Sequence, residues 1–379
     1  MFWLRVFLLL FLAAVLFSFP KRALGVYDPL SVPNNKIGIH ILFPSELEKA
    51  KDLVNSSGGD WGYVTIPIQA GDKDIGKWQT FMDEARFDHL IPILRLATEG
   101  DYFDKTTWRQ PKESDILDFA NFLSSLDWPV KNRYVIVFNE VNRADEWEGS
   151  ANPAHYVSLL SYASLVFKQK SPDFFIISSG LDNAAATSKG SFNEYDFLRL
   201  MYESNPEIFN QIDGFASHSY PNPGFSSLPK IKTTESIASY KFEQSLIKQL
   251  SGKDLPVFIT ETGWTQEKFS DRAIGQFFQD ALADTWTDNS IVAITPFLLR
   301  STGGPFDKFS FLKPDGEPNN IYLSYKLVSK TAGKPNLYPV KILTLIKNAV
   351  IPVKNFSEYN FSNQGRFIKN LIRWMFFGN

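Results

Sequence analysis

The chain has 379 residues, 44% hydrophobic and 15% aromatic, which is enough to bury one large core. Its formal net charge of −2 provides no general positive excess for binding nucleic acid. The chain has no cysteine, which excludes disulfides and thiolate chemistry, and its four histidines lack the spacing of a zinc hydrolase, so we expect no metal and no other cofactor.

The N-terminus begins with an apolar segment. Arg5 precedes the apolar residues 6–19, and Ala23-Leu-Gly25 has the small-x-small form of a signal-peptide cleavage site. The apolar run is short for a membrane span, and Lys21 and Arg22 follow it. We therefore expect residues 1–25 to be a signal peptide, with a retained membrane anchor as the alternative. Both interpretations predict an exported protein.

Strand-like and helix-like segments then alternate along the chain. Spacing of three and four residues between apolar positions predicts helices. Ser45 and Glu48 have the spacing of a capping box, which predicts a further helix to about Val54. Eight repeats predict an α/β fold, a (β/α)8 TIM barrel over residues 36–335. The predicted strands are 36–43, 62–69, 90–97, 133–139, 174–179, 212–217, 257–260 and 291–298, and the other predicted helices are 113–125, 153–170, 235–250 and 271–286.

A basic amphipathic extension follows the predicted barrel. Residues 341–379 contain six lysines and arginines but a single acid, Glu358, and apolar residues are interleaved among them. This pattern is typical of a helix that lies on a membrane surface. A C-terminal helix that docks on the barrel is the alternative.

Two glutamates stand at the ends of predicted strands. Glu140 ends the fourth run and Glu261 ends the seventh. Residues at the carboxyl ends of barrel strands line the mouth of the barrel. Two carboxyl groups there suit glycosidic bond cleavage, because one can protonate the leaving oxygen and the other can attack the anomeric carbon. The alternatives are a helix-capping surface position for Glu140 and a salt bridge to an inward arginine for Glu261.

Other polar and aromatic residues near strand ends complete the predicted site. His218 and Tyr220 share a strand face by the two-residue period, although a packed tyrosine beside a satisfied core histidine has the same pattern. Arg95 stands in an apolar strand, where a buried arginine needs an anionic partner. Further candidates for contact with a sugar are His40, Gln69, Trp147, Trp264 and Phe297.

The pair Asn139-Glu140 after the fourth strand, with Glu261 after the seventh, resembles the signature of the clan A glycoside hydrolases. That superfamily contains cellulases, β-mannanases, β-xylosidases and galactanases, and the resemblance covers about residues 36–330. It implies a retaining glycoside hydrolase that acts on a β-linked polysaccharide or oligosaccharide. Glu261 is then the nucleophile, Glu140 the general acid/base, and Asn139 the ligand of the hydroxyl next to the reacting carbon. Tyr220 is expected to donate to the nucleophile, and His218 to contact the substrate.

Two positions depart from the clan pattern. Arg95 lies on the third predicted strand, whereas many clan members have such an arginine on the second. Phe297 stands near the end of the eighth strand, where the clan commonly has tryptophan. Strand alternation also places Asn139 and Glu140 on opposite faces, so both serve one site only if the strand has already twisted out.

Two other functions fit the same sequence. A non-catalytic glycan-binding barrel at the cell surface would keep the aromatic residues without needing both carboxyl groups. A transglycosylase would use the same residues and pass the sugar to another sugar instead of water. Hydrolysis with retention of the anomeric configuration predicts two carboxyl groups about 5 to 5.5 Å apart.

Overall fold

Eight parallel strands form the centre of the molecule. The computed structural model describes residues 25–98, 107–301 and 303–338, so the predictions for residues 1–24 and 341–379 fall outside the described residues. The strands pair in chain order, each with the next. They are β1 Gly38–His40, β2 Gly62–Gln69, β3 Leu90–Ala97, β4 Arg133–Ile136, β5 Phe174–Ser178, β6 Gly214–His218, β7 Val257–Glu261 and β8 Ile291–Ile294.

The sheet closes on itself between the last strand and the first. Ile37 forms a parallel bridge with Ile294. The backbone N–H of His40 donates to the carbonyl of Pro296 at 3.0 Å, and that of Leu299 donates to the carbonyl of His40 at 2.9 Å. The predicted (β/α)8 barrel is therefore confirmed.

Helices follow the strands and cover the outside of the barrel. The sequence predicts the helices over 113–125 and 153–170 with the bounds that the structure has, but it misses the helices over 75–87, 194–204 and 320–326. Among the described residues, no helix combines the length and apolar character needed to cross a bilayer. The helices are α1 Leu47–Val54, α2 Ile75–Phe87, α3 Glu113–Ser125, α4 Pro153–Lys170, α5 Glu194–Ser204, α6 Ser239–Ser251, α7 Asp271–Ala283 and α8 Asn320–Lys326.

The start of the first helix differs from the predicted capping box. Pro44–Glu46 forms a 3₁₀ turn that leads into α1. The Glu46 carboxylate accepts from the backbone N–H groups of Leu42 at 2.7 Å and Phe43 at 2.9 Å. The capping side chain is therefore Glu46, whose carboxylate accepts from the backbone before the turn. Ser45 is not the cap, because the turn begins before it.

The interior of the barrel changes character along its axis. At the end where the strands begin, inward side chains such as Tyr63, Tyr134 and Phe258 form an apolar cluster. Nearer the strand ends, Arg95 and Glu261 are buried. Since β-strand side chains alternate, the inward face of one strand can contribute to both layers. The polar layer forms the floor of the barrel mouth.

Candidate active site

A cavity of about 340 Å³ opens at the carboxyl ends of the strands. Its floor and one wall are polar, and most of its aromatic lining comes from the segments that follow β6 and β8. The polar lining consists of Arg95, Thr98, Asn139, Glu140, Arg143, Asp145, Glu146, Asp182 and Glu261, and the aromatic lining consists of Trp108, Phe138, Trp147, Tyr220, Phe225, Phe297, Phe306 and Phe309.

Glu261, the last residue of β7, lies on the cavity floor with a donor at each carboxylate oxygen. Arg95 Nη1 lies 2.7 Å from Oε1, and the Tyr220 hydroxyl donates to Oε2 at 3.1 Å. The anionic partner that buried Arg95 needs is therefore Glu261. Glu261 therefore forms the salt bridge that the sequence left as an alternative, and it also lines the cavity.

A register shift aims Glu261 into the barrel. Phe258 belongs to the interior cluster, so strict alternation would point Thr260 inward and Glu261 outward. Ser217 pairs with Ile259, but His218 pairs with Glu261, and this irregularity skips one residue of β7. The bulge thus returns the carboxylate to the inner face, a common use of β-bulges near active sites.

Tyr220 is a durable donor to Glu261. Burial raises the pKa of the Tyr220 hydroxyl well above its ordinary value, and the nearby charge of Glu261 raises it further. The phenol therefore keeps its proton at every pH at which the protein is expected to work. It can therefore bind one carboxylate oxygen of Glu261 while Arg95 binds and orients the other.

Glu140 reaches the same cavity from the loop after β4. Strand β4 ends at Ile136, and the backbone then adopts positive φ at Phe138 (68°) and at Glu140 (36°). These left-handed residues break the strand alternation, so Asn139 and Glu140 both line the cavity. The N–H of Glu140 donates to the carbonyl of Gly180 at 3.0 Å, which anchors the loop to the end of β5.

His218 lies between the two glutamates. Its Nδ1 is 2.9 Å from Glu140 Oε1 and 3.8 Å from Glu261 Oε2. Burial lowers the pKa of His218, but the charge of Glu261 and the hydrogen bond to Glu140 outweigh this effect and raise the pKa above its ordinary value. A Cβ at Gly180 would lie 2.2 Å from His218 Cδ2, so only glycine leaves room for the ring.

The two carboxyl groups are close together. One oxygen of Glu140, one oxygen of Glu261 and one ring nitrogen of His218 all lie within 4.8 Å of one another. This spacing is compatible with a cation. However, Arg95, Arg143 and His218 already place positive or proton-donating groups on these carboxylates.

Several predicted sugar contacts are placed elsewhere. Trp264 is buried in the helix layer, where its indole N–H donates to Ser227 and its ring packs on Phe278, so it offers no stacking face to the cavity. His218 and His40 are buried below the lining residues, and neither lines the cavity.

Gln69 and Trp147 also do not present the sugar-contacting surface expected of them, whereas Phe297 does line the cavity. Gln69 ends β2 but does not line the cavity. Trp147 borders the cavity, yet it is 1% exposed and its ring packs edge-on against Phe138 and Tyr156. Phe297 lines the cavity after β8, where it packs edge-on against the His40 ring.

The loop after β4 supplies site residues that the sequence analysis missed. Arg143 Nη1 lies 3.3 Å from Glu140 Oε2 and 3.4 Å from an oxygen of Asp182. Glu146 Oε1 accepts from Asn139 Nδ2 at 3.1 Å. The one available signal was a cluster of charges within six residues after Glu140, which is also typical of a solvated loop.

Comparison with known proteins identifies the fold. No protein-family model and no curated sequence matches the chain. Solved structures do match: a family 39 glycoside hydrolase from Bacteroides cellulosilyticus WH2 at 16% identity and a TM-score of 0.53, over 80% of this chain and 65% of that one. An endo-β-1,3-glucanase of glycoside hydrolase family 128 (subgroup II) from Sorangium cellulosum matches at 16% identity and 0.52, over 77% and 97%. An endo-β-1,4-glucanase from Xanthomonas axonopodis pv. citri matches at 11% identity and 0.52, over 77% and 97%.

These likenesses define the class of fold to which the chain belongs. At such low identity they show that the chain shares the fold of these glycoside hydrolases. The chain spans less than two thirds of the family 39 structure, which is the longer protein. The resemblance noted in the sequence is thus confirmed for the fold, and the chemistry has to be argued from the site.

Proposed function

We propose that the protein is a retaining glycoside hydrolase of a β-linked glycan, with Glu261 as nucleophile and Glu140 as general acid/base. The observation that carries this proposal is the pair of carboxyl oxygens within 4.8 Å at the barrel mouth. Retaining enzymes have carboxyl groups about 5 to 5.5 Å apart, whereas inverting enzymes separate them by about 6.5 to 9.5 Å to admit water. The spacing here supports retention.

The partners of the two glutamates support different roles. Glu261 receives hydrogen bonds from Arg95 and Tyr220, which favour an ionised, fixed carboxylate suited to attack. Glu140 contacts the His218 imidazole, a group whose own proton can be lost or regained as Glu140 changes charge. Glu140 also has a longer contact with Arg143 Nη1 at 3.3 Å, so it has one titratable partner and one permanent donor, whereas both donors to Glu261 are permanent. A titratable partner suits a carboxyl group that must alternate between acid and base.

The reaction then proceeds in two displacements. An oxygen of Glu261 attacks the anomeric carbon while the glycosidic carbon–oxygen bond breaks, and Glu140 gives its proton to the departing oxygen. The sugar remains as an ester on Glu261. Glu140, now ionised, takes a proton from water, and the hydroxide attacks the anomeric carbon and frees Glu261.

The lining of the cavity suits a sugar chain. Strands β4 and β8 lie opposite each other in an eight-strand barrel, so Arg143, Asp145 and Glu146 face the aromatic group contributed by the segment after β8. Aromatic faces pack on sugar rings, and polar side chains bind their hydroxyls. Because two of the structurally similar proteins are described as endo-β-1,3- and endo-β-1,4-glucanases, β-glucans are the first substrates to test.

The stereochemistry of the product tests the proposal. Soluble β-1,3- and β-1,4-glucans are incubated with the protein, and the first product is observed by NMR before mutarotation. We expect the β-anomer from the wild type. Loss of Glu261 in Glu261→Ala should lower kcat by about 10⁴-fold or more, and Glu148→Ala, which removes an exposed carboxylate from the loop after β4, should not.

Azide separates the two roles. With an aryl glycoside and azide, Glu140→Ala should yield a β-glycosyl azide, because the ester on Glu261 still forms. Glu261→Ala should yield the α-azide by a single displacement. An α-anomeric product from the wild type would contradict retention. Binding without turnover would indicate a glycan-binding barrel, and transfer to sugar in place of water would indicate a transglycosylase.

A further inference from the structure

The cavity holds a third glutamate whose role the two-carboxylate reaction leaves open. We propose that Glu146 is a positioning residue, which fixes the plane of the Asn139 amide so that its second N–H is aimed at the substrate hydroxyl next to the reacting carbon. This inference rests on the proposed function. It adds a residue from the loop after β4, beyond the positions that the clan resemblance supplies.

A continuous set of contacts links Glu146 to the nucleophile. Arg95 Nη1 contacts both Glu261 Oε1 and Asn139 Oδ1. Asn139 Nδ2 in turn donates to Glu146 Oε1 at 3.1 Å. The amide of Asn139 is therefore held at its oxygen by a cation that also holds the nucleophile, and at its nitrogen by the carboxyl group of Glu146.

Two hydrogen-bond partners fix the orientation of the Asn139 amide, which one partner alone cannot do. An asparagine amide has one oxygen and two N–H groups in a plane. Arg95 alone determines which end is the oxygen, but the amide can still rotate about its axis. Glu146 binds one N–H and so fixes the plane, which leaves the direction of the other N–H determined. Hydrogen bonds to the hydroxyl beside the reacting carbon strengthen in the transition state of glycoside hydrolysis.

Glu146 can serve in this way without adding charge to the site. Burial raises its pKa to about 8, and the charge of Glu140 contributes to the rise, while Arg95 and the Asn139 hydrogen bond oppose it. At neutral pH the group is therefore a neutral acid whose carbonyl oxygen still accepts from Asn139. Glutamine has the same shape and the same acceptor, which makes Glu146→Gln the conservative replacement.

The experiment compares two variants on two aryl glycosides and on the 2-deoxy analogue of each. The substrates are the 4-nitrophenyl β-glycosides of β-1,3- and β-1,4-linked glucose disaccharides, and their analogues lacking the 2-hydroxyl of the reacting ring. We expect Glu146→Ala to lower kcat about tenfold, the usual worth of one hydrogen bond, with little change in KM. Glu146→Gln should restore most of that loss. Glu148→Gln is the matched control from the same loop and should behave as wild type.

The 2-deoxy analogues separate positioning from general damage. If Glu146 acts through the Asn139 N–H, Glu146→Ala and wild type should cleave the 2-deoxy analogue at similar rates. An equal loss on both substrates, or no loss on either, overturns the inference while leaving the two-carboxylate reaction intact. A failure of Glu146→Gln to recover activity overturns it as well.

Folding and substrate choice are checked separately. If circular dichroism shows that Glu146→Ala is unfolded, Glu146→Met replaces it, because methionine has a similar length and lacks the acceptor. If the wild type itself cleaves neither aryl glycoside, the proposed function fails for β-glucans, and the inference is overturned with it. The two failures are thus distinguished by wild-type turnover.

Discussion

The two ends of the barrel interior use the same strands for different purposes. Where the strands begin, Tyr134 packs against Phe175 and Phe258 with ring centroids 5.1 and 5.6 Å apart. Where they end, the inward positions are Arg95 and Glu261, joined at 2.7 Å. The first layer gains stability by burying rings. The second buries charges that must partner one another, which costs stability and leaves reactive groups at the mouth.

This contrast explains how one fold can hold a strained, charged site. On β3 the interior residues Ile91, Ile93 and Arg95 follow the two-residue period from the apolar layer into the polar layer. The layer below consists of buried, closely packed side chains, which support the donors above it before substrate arrives. Preorganised donors of this kind contribute most to catalysis because they need no rearrangement during the reaction.

The largest expected effect on stability lies in the lower layer. Phe258→Ala should reduce the free energy of unfolding by about 3 to 5 kcal/mol, because it removes a fully buried ring and leaves a cavity. Turnover per folded molecule should stay near wild type. Denaturant unfolding and active-site-normalised kinetics measure the two quantities. Phe87→Ala, at a position 82% exposed, is the control. Lost turnover with unchanged stability would contradict the division between the layers.

A change in the upper layer should lower turnover more than stability. Tyr220→Phe removes the donor to Glu261, and a hydrogen bond to a charged group is worth about 1.5 to 3 kcal/mol, so kcat should fall by about 10- to 100-fold. Tyr325→Phe is the matched control, since its hydroxyl donates to the Gly38 carbonyl outside the cavity. That control should lose some stability and keep its kcat. Equal kinetics in both variants would remove Tyr220 from the reaction.

The smallest effect concerns a buried acid pair behind β6. Ser217 donates to Glu243 Oε1 at 2.7 Å, and burial together with the charge of Glu243 raises the pKa of Glu194 well above its ordinary value. Burial also raises the pKa of Glu243. The folded state therefore holds more protons than the unfolded chain once the pH exceeds about 4.5, where an ordinary glutamate ionises, and stability falls as pH rises.

Glu194→Gln should flatten that fall without changing stability much at low pH. The measurement is the free energy of unfolding between pH 4 and pH 9, with the exposed Glu148→Gln as control. An unchanged slope would mean that the pair is ionised in the folded protein. The result would separate carboxylates kept for chemistry at the mouth from carboxylates kept neutral in the packing behind it.

The sequence predicted the frame of the molecule better than the details of the site. The apolar runs of β2 and β3 and the apolar spacing of α3 and α4 are local signals, and their bounds match. Glu140 and Glu261 were predicted to share the mouth because strand ends in a barrel meet there. Their directions depended on the positive φ of Glu140 and the register shift in β7, which alternation alone does not encode.

The errors have physical causes of the same kind. Trp264 follows a strand end, yet its chain turns into the helix layer, where the indole finds a carbonyl acceptor at Ser227. Glu146 was overlooked because a charge in a loop usually faces water. Its place in the site depends on the contact with Asn139, which the local sequence pattern does not encode.

Identification of the nucleophile tests the central claim most directly. In a 2-deoxy-2-fluoro β-glucoside, the fluorine slows both steps because it destabilises the oxocarbenium-like transition states. A good leaving group offsets this effect in the first step only, so release of the ester is the slowest step. After incubation and digestion, mass spectrometry should find the added fluorosugar on the peptide that carries Glu261. An adduct on another residue, or turnover without any adduct and with inversion at the anomeric carbon, would contradict the account.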